Sequence, residues 1–435
     1  MGNRWLALVA VLVCPAAALP CASGAASAQE GTVAPPPCAP SSLQFETTVV
    51  PMGAVKGIKT SIWSGAPDHR WTLTTSPDGK RIAYTLHKGA SKGWLALAPL
   101  GVGRNDQAKA VVDGVEGPPY EGLDIAVFSP DSRRVAYRAL RGGKTSVGAI
   151  PVGKVRMVVV VDGLEGPGFD WVSRPVFSPD SAHVAYATGK GKSTSVIVDD
   201  AAGEAYDGVS GPVFSPDSQR VAYVARRGKQ MLTVNGPQAI AVSADDAGDL
   251  ALSPDGRRLA YKGNRGKRFF VVVDGVESPS YDSIGLLVFS ADGRLAYGAR
   301  RGKTAFTVVE GTAPREHGAD TKVGDPAFSP DGRRLAYALR EGKKERVVTD
   351  DHAGRLYEDI GPVAFSPDGR HVAYDARVGQ KWHLVVDETD APEYQEIIGQ
   401  ARAFEQPDLI RYFGFRGDEL VRSEVRIRCA PAPQP

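Results

Sequence analysis

Apolar and polar positions alternate in short bursts along this chain, and the bursts recur. The clearest copy is F-S-P-D-G-R-R-L-A-Y at 328–337. Phe328 precedes a polar stretch, and Leu335 and Tyr337 follow it two residues apart, the period of a strand that buries one face. Ser329-Pro330-Asp331-Gly332 suits a type I turn: a serine that accepts local hydrogen bonds, a proline with preset φ, an aspartate, and a glycine free to take positive φ. Copies start at Thr75, Phe128, Phe177, Phe214, Leu252, Phe289, Phe328 and Phe365, with a worn one at Phe404. After two longer intervals the spacing settles at 37–39 residues. A fixed period of that size denotes an array of equal supersecondary units.

Each period holds four short apolar segments. One leads into the Ser-Pro-Asp turn and one leaves it. A basic glycine turn such as Arg227-Gly228-Lys229 or Arg301-Gly302-Lys303 comes next. A β-branched run such as Val271-Val272-Val273 then ends in Asp274-Gly275, a hairpin signal. The fourth segment leads to a tyrosine followed by an acid, as at Tyr120, Tyr206, Tyr281 and Tyr357, or by glutamine at Tyr394. Four antiparallel strands per 40 residues predict an all-β fold, a β-propeller of four-stranded blades. We count eight blades, in a range of seven to nine, with a last blade that mixes strands from both ends (43–50 and 70–75 with 410–415 and 420–425).

The repeated F-S-P-D-G-R-R-L-A-Y with V-V-V-D-G resembles the Pro-Asp relatives of the WD repeat, found in TolB-like proteins and in prolyl oligopeptidase propellers. The resemblance covers roughly 70–428, the propeller alone. It implies that the Ser-Pro-Asp turn joins the innermost strand of a blade to the second. The basic glycine turns and the Tyr-acid pairs then share one face of a rigid, ligand-binding disc.

Composition adds context. The chain has 435 residues, 42% of them hydrophobic, and a formal charge of +2. That balance gives no electrostatic case for nucleic acid. Residues 1–28 read as an export signal: Arg4, an apolar stretch from Trp5 to Leu19, and the small residues Ala26-Ser27-Ala28. A proline-rich leader (29–40), the propeller (41–429) and a short tail (430–435) follow. The expected product is exported, periplasmic or extracellular, monomeric, and without a membrane span once the signal is removed. Cys38 and Cys429 flank the repeats, and an exported chain can join them as a disulfide latch.

Candidate chemistry is sparse. Gly89-Ala90-Ser91-Lys92-Gly93 fits a nucleophile-elbow pattern, but it falls in an inter-strand turn rather than a strand-to-helix turn. Gly-Lys-Thr/Ser at 143–145, 191–193 and 302–304 lacks the rest of a phosphate loop. The seven histidines show no metal-ligand spacing; His183 and His371 stand where the repeat has arginine, and are expected as surface turn residues. Asp245, Asp246 and Asp249 are the weak metal candidates. The recurrent tyrosines, as consensus positions, are expected to pack between blades, and the basic turns to pair with the neighbouring acids. Aromatic residues outside the consensus are the binding candidates: Trp63, Trp94 and Trp171, with His69 and His87. The resulting expectation is a non-enzymatic scaffold, without cofactor, for a protein or cell-envelope component. The alternative is a lyase- or lactonase-type propeller with a metal in its channel.

Overall fold

The computed structural model describes residues 43–54, 73–88, 107–142, 144–145, 151–152, 156–379, 381–391, 396–416 and 419–429. The signal segment, the leader, the tail, Cys38, Trp63, His69 and Trp94 lie outside the described residues. Those described form β-structure only, in nine antiparallel sheets of four strands, six of them with an innermost strand broken into two pieces. The blades span 73–120, 122–165, 171–202, 208–242, 246–277, 283–319, 321–353, 359–390 and, last, 396–429 together with 43–54. A two-residue pair, Lys144–Thr145 with Pro151–Val152, marks the insertion in the second period.

Nine blades are one more than the eight expected from the repeat count. The reason is closure. Leu43–Ala54 adds as the outer strand beside Glu419–Cys429, with Leu43 opposite Cys429. Together with Leu409–Arg416 and Glu396–Gln406 it completes a whole sheet. Strands from both sides of the array therefore meet in one blade, as expected, but Leu73–Thr75 is not among them: it pairs with Ile82–Lys88 as the inner strand of blade one, and the closing blade is additional to the eight that carry regular copies. The ring is continuous there: a Cβ added at Gly79 in blade one would lie 3.4 Å from Arg411 in blade nine.

The turns form as their residues dictate. In the Ser329 copy the Gly332 amide donates to the Ser329 carbonyl at 2.8 Å, closing the turn. The Ser329 hydroxyl donates to Asp331 and accepts from the Arg334 amide. The Asp-Gly hairpins have positive φ at both central residues, +50° and +85° at Asp274 and Gly275, the twist that two-residue hairpins need.

The core lies between blades. One apolar cluster joins Ala108 and Tyr120 of blade one to Phe128, Tyr137 and Val160 of blade two. Another joins Leu384 of blade eight to Ile410 and Ile427 of blade nine and to Leu43. The recurrent tyrosines belong to these seams, as expected. Tyr120, Tyr206, Tyr281 and Tyr357 are buried and meet Tyr137, Tyr223, Tyr297 and Tyr374 of the next blade edge-on, with ring centroids 6.0–6.4 Å apart. In the sixth seam His317 takes the tyrosine's place against Tyr337, at 5.7 Å.

Candidate functional site

Most of the charged consensus is consumed by holding blades together. The second arginine of the repeat is the main rivet. Arg134 donates to Asp162 of its own hairpin at 2.9 Å and to the Ser181 and Ala182 carbonyls of the next blade at 3.2 and 2.7 Å. Its guanidinium also lies 5.3 Å over the Phe177 ring. Arg81, Arg258 and Arg334 repeat the pattern. The hairpin aspartate serves twice, since its other oxygen accepts from the backbone amide of the residue after the arginine, as Asp162 does from Val135.

The opposite face is built differently from the expected pairing of the basic turns with the acids that follow the tyrosines. The acids after the seam aromatics Phe169, Tyr206 and Tyr281 accept from the backbone amide of the turn glycine: Asp170 from Gly191, Asp207 from Gly228 and Asp282 from Gly302, at 2.5–2.7 Å. Arg227 and Arg265 pair instead with acids on or just after the outer strand, Glu204 and Glu277.

Against this regular background one place departs from the repeat. Asp124 sits on the broken innermost strand of blade two and is almost fully buried. Arg138, on the second strand, donates to it at 2.8 Å. Arg174, from the innermost strand of blade three, binds the same carboxylate through two nitrogens at 2.9 and 3.0 Å. The Ile125 amide adds a fourth donor at 2.8 Å. Burial works against the charge on Asp124, but the Arg174 hydrogen bonds and the charges of Arg138 and Arg174 outweigh it and hold the carboxyl below its usual range. Arg138 also reaches the Val172 carbonyl at 3.0 Å, next to Trp171.

Trp171 begins the innermost strand of blade three and keeps 36% of its surface exposed. Its indole lies over Gly189, the residue opposite it in the sheet, where a Cβ would fall 1.9 Å from Nε1. Blades four and six carry arginine at the equivalent position, Arg226 and Arg300. A residue with no side chain thus gives the tryptophan its seat on the glycine-turn face, above a buried ionic cluster that ties two blades together.

Of the other candidates, His87 lies on the strand Ile82–Lys88 opposite Ala108, so its backbone is in blade one. Asp245, Asp246 and Asp249 are engaged separately: Asp245 caps the Gly266 amide, Asp246 its own neighbour Ala247, and Asp249 pairs with Lys262 at 2.8 Å. Among the described residues no group of three His, Cys, Asp or Glu is arranged to hold a metal. His183 and His371 are not idle surface residues. Each binds the hairpin aspartate in the manner of the arginine it replaces, Asp199 at 2.5 Å and Asp387 at 2.6 Å, and His371 is buried.

No family model and no curated protein matches the sequence. Solved structures similar to it include dihydro-heme d1 dehydrogenase NirN in complex with DHE, at 14% identity over 79% of this chain and 77% of that one, with a TM-score of 0.43. TolB from Acinetobacter baumannii is similar at 13% identity over 68% and 83%, TM-score 0.29. Virginiamycin B lyase from Staphylococcus aureus is similar at 15% over 57% and 93%, TM-score 0.31. These likenesses are of fold alone; it is the nine four-stranded sheets, the last completed by Leu43–Ala54, that make the chain a β-propeller.

Sequence reading selected Trp171 but missed Asp124, Arg138 and Arg174. One signal was present. The residue after each Ala-Tyr is small or apolar in most copies, so Arg138, Lys262 and Asp375 stand out there.

Proposed function

We propose that the protein is an exported, non-enzymatic propeller that binds a protein or cell-envelope component through its glycine-turn face, with Trp171 as an anchor. The observation that carries this reading is an exposed indole on a preformed seat. An anchor held in one orientation loses little freedom on binding, and tryptophan is among the residues enriched at the centre of such contacts. The Asp124–Arg138–Arg174 cluster supports it by fixing the strand beneath. The apolar stretch and small residues of 1–28 support export, and the disulfide between Cys38 and Cys429 belongs to the same proposal.

The test is crosslinking of the mature protein in its own envelope fraction, with Trp171→Ala and Gly189→Ala run beside the parent chain. A partner recovered by the parent and depleted in both variants supports the reading; Gly189→Ala acts by displacing the indole. Equal recovery by all three removes Trp171 as the anchor. Metal-dependent turnover of a lactone or polysaccharide would overturn the non-enzymatic reading.

A further inference from the structure

One seam has a gap where most of the others have a guanidinium. Between blades three and four a cavity of about 260 Å³ is lined by His183, Asp199, Phe214, Ser218 and Gln219. It is far larger than the ~15 Å³ that admits one water. The Arg134 seam identifies the space. There Asp162, the Phe177 ring and the carbonyls of Ser181 and Ala182 surround the guanidinium. By repeat position these four groups correspond to Asp199, Phe214, and the carbonyls of Ser218 and Gln219. The surroundings of an arginine head are present, and the arginine is not.

His183 fills only part of the room. Its imidazole reaches Asp199 through Nδ1 and stacks on Phe214 with centroids 6.5 Å apart and planes 26° apart. Among the described residues no side chain donates to the Ser218 or Gln219 carbonyl. The other substituted seam shows that histidine alone does not open a notch: the His371 side chain is 10% exposed and its aspartate 18%, against 41% and 44% for His183 and Asp199.

We infer that this notch is a binding site for a guanidinium group. An aromatic face, a carboxylate and two backbone carbonyls are what a planar cation with several N–H donors requires. The ligand is either an arginine side chain offered by a protein or a free guanidino compound. The notch opens on the Ser-Pro-Asp face, away from Trp171, so it stands whether or not the glycine-turn face binds a partner.

The experiment is thermal unfolding of the mature protein with millimolar N-acetyl-arginine amide, or with N-acetyl-citrulline amide, which has the same shape and no charge. The expected result is a saturable rise in Tm with the arginine probe, and a response at least about tenfold weaker with citrulline, as loss of charge-assisted hydrogen bonds produces. His183→Arg fills the notch from within: its Tm should rise and its response to the probe should vanish. Asp199→Asn should weaken the response while leaving the other seams intact. Equal responses to the two probes, or a full response in His183→Arg, would overturn the proposal. Agmatine and a five-residue glycine peptide with a central arginine then separate the sources. Tighter binding of the peptide indicates a protein side chain, and equal or tighter binding of agmatine indicates a free guanidino compound.

Discussion

The backbone amide of Asp78 donates to the hydroxyl of Ser132, 54 positions further on and one blade away, at 3.0 Å. Asp131 does the same to Ser181, and Asp180 to Ser218. All three serines hold φ between +62° and +66°, where the other copies use glycine. Serine pays a backbone strain there and gains a hydrogen bond that stitches consecutive turns. Ser132→Ala keeps the strain and loses the bond, so it should destabilise the protein by about 1–2 kcal/mol. Ser132→Gly relieves the strain and should cost less than alanine. Urea midpoints of the two variants check this order.

Arg334 donates to Asp350 at 2.7 Å and to the Gly369 and Arg370 carbonyls at 2.9 and 2.8 Å, over the Phe365 ring at 5.2 Å. An ammonium cannot make this fork or stack. Arg334→Lys should therefore cost about 1–3 kcal/mol in denaturant unfolding although the charge is kept. An unchanged midpoint would mean that the seam is held by its apolar contacts alone.

Acid should loosen the ring through its turns. The serine hydroxyl, above all, holds Asp180, Asp217, Asp255, Asp292 and Asp331 below the usual carboxylate range. A carboxyl depressed in the folded state contributes stability above its unfolded pKa of about 4, and that stability disappears as pH falls through the folded value. Unfolding midpoints should decline below about pH 4, and each Ser→Ala change in a turn should flatten the decline. A profile identical in Ser253→Ala and the parent would contradict the assignment to Asp255.

His317 adds a second dependence at higher pH. Burial, reinforced by the charge of Arg315 and opposed by Glu341, lowers its pKa, and its Nε2 lies 2.9 Å from the Thr307 hydroxyl. A histidine held neutral by the fold is protonated first in the unfolded chain. Stability should therefore fall as pH drops below about 6.5, the unfolded value. His317→Tyr introduces the residue found in four other seams and should abolish this component. Denaturation between pH 5 and 8 measures it.

Much of the architecture was legible in the sequence because the repeat encodes it locally. Asp274-Gly275 can hardly be anything but a tight hairpin, and Leu335 and Tyr337 show which face goes inward. The ninth blade was harder to read. Its strands come from positions far apart, and only pairing between Leu43 and Cys429 reveals that they complete a sheet. Asp124 was missed for a related reason: its partner Arg174 belongs to another blade, and nothing in either stretch announces the other. The vacancy at His183 was also invisible, since a histidine in a variable-looking turn gives no sign that its neighbours are laid out for a guanidinium.

Arg428 reaches Glu46 across 382 positions of the chain. While the polypeptide emerges from one end, Leu43–Ala54 has no partner, and its hydrogen-bonding edge waits for the last strand to arrive. Loop-closure entropy grows slowly with length but is spent before any contact returns it. Closing the ring should therefore be a late step of folding, one that cannot begin before Glu419–Cys429 has been made. Moving Leu43–Ala54 to follow Cys429 in a circular permutant would turn that long-range search into a local hairpin, and the folding rate should rise while the finished disc stays the same.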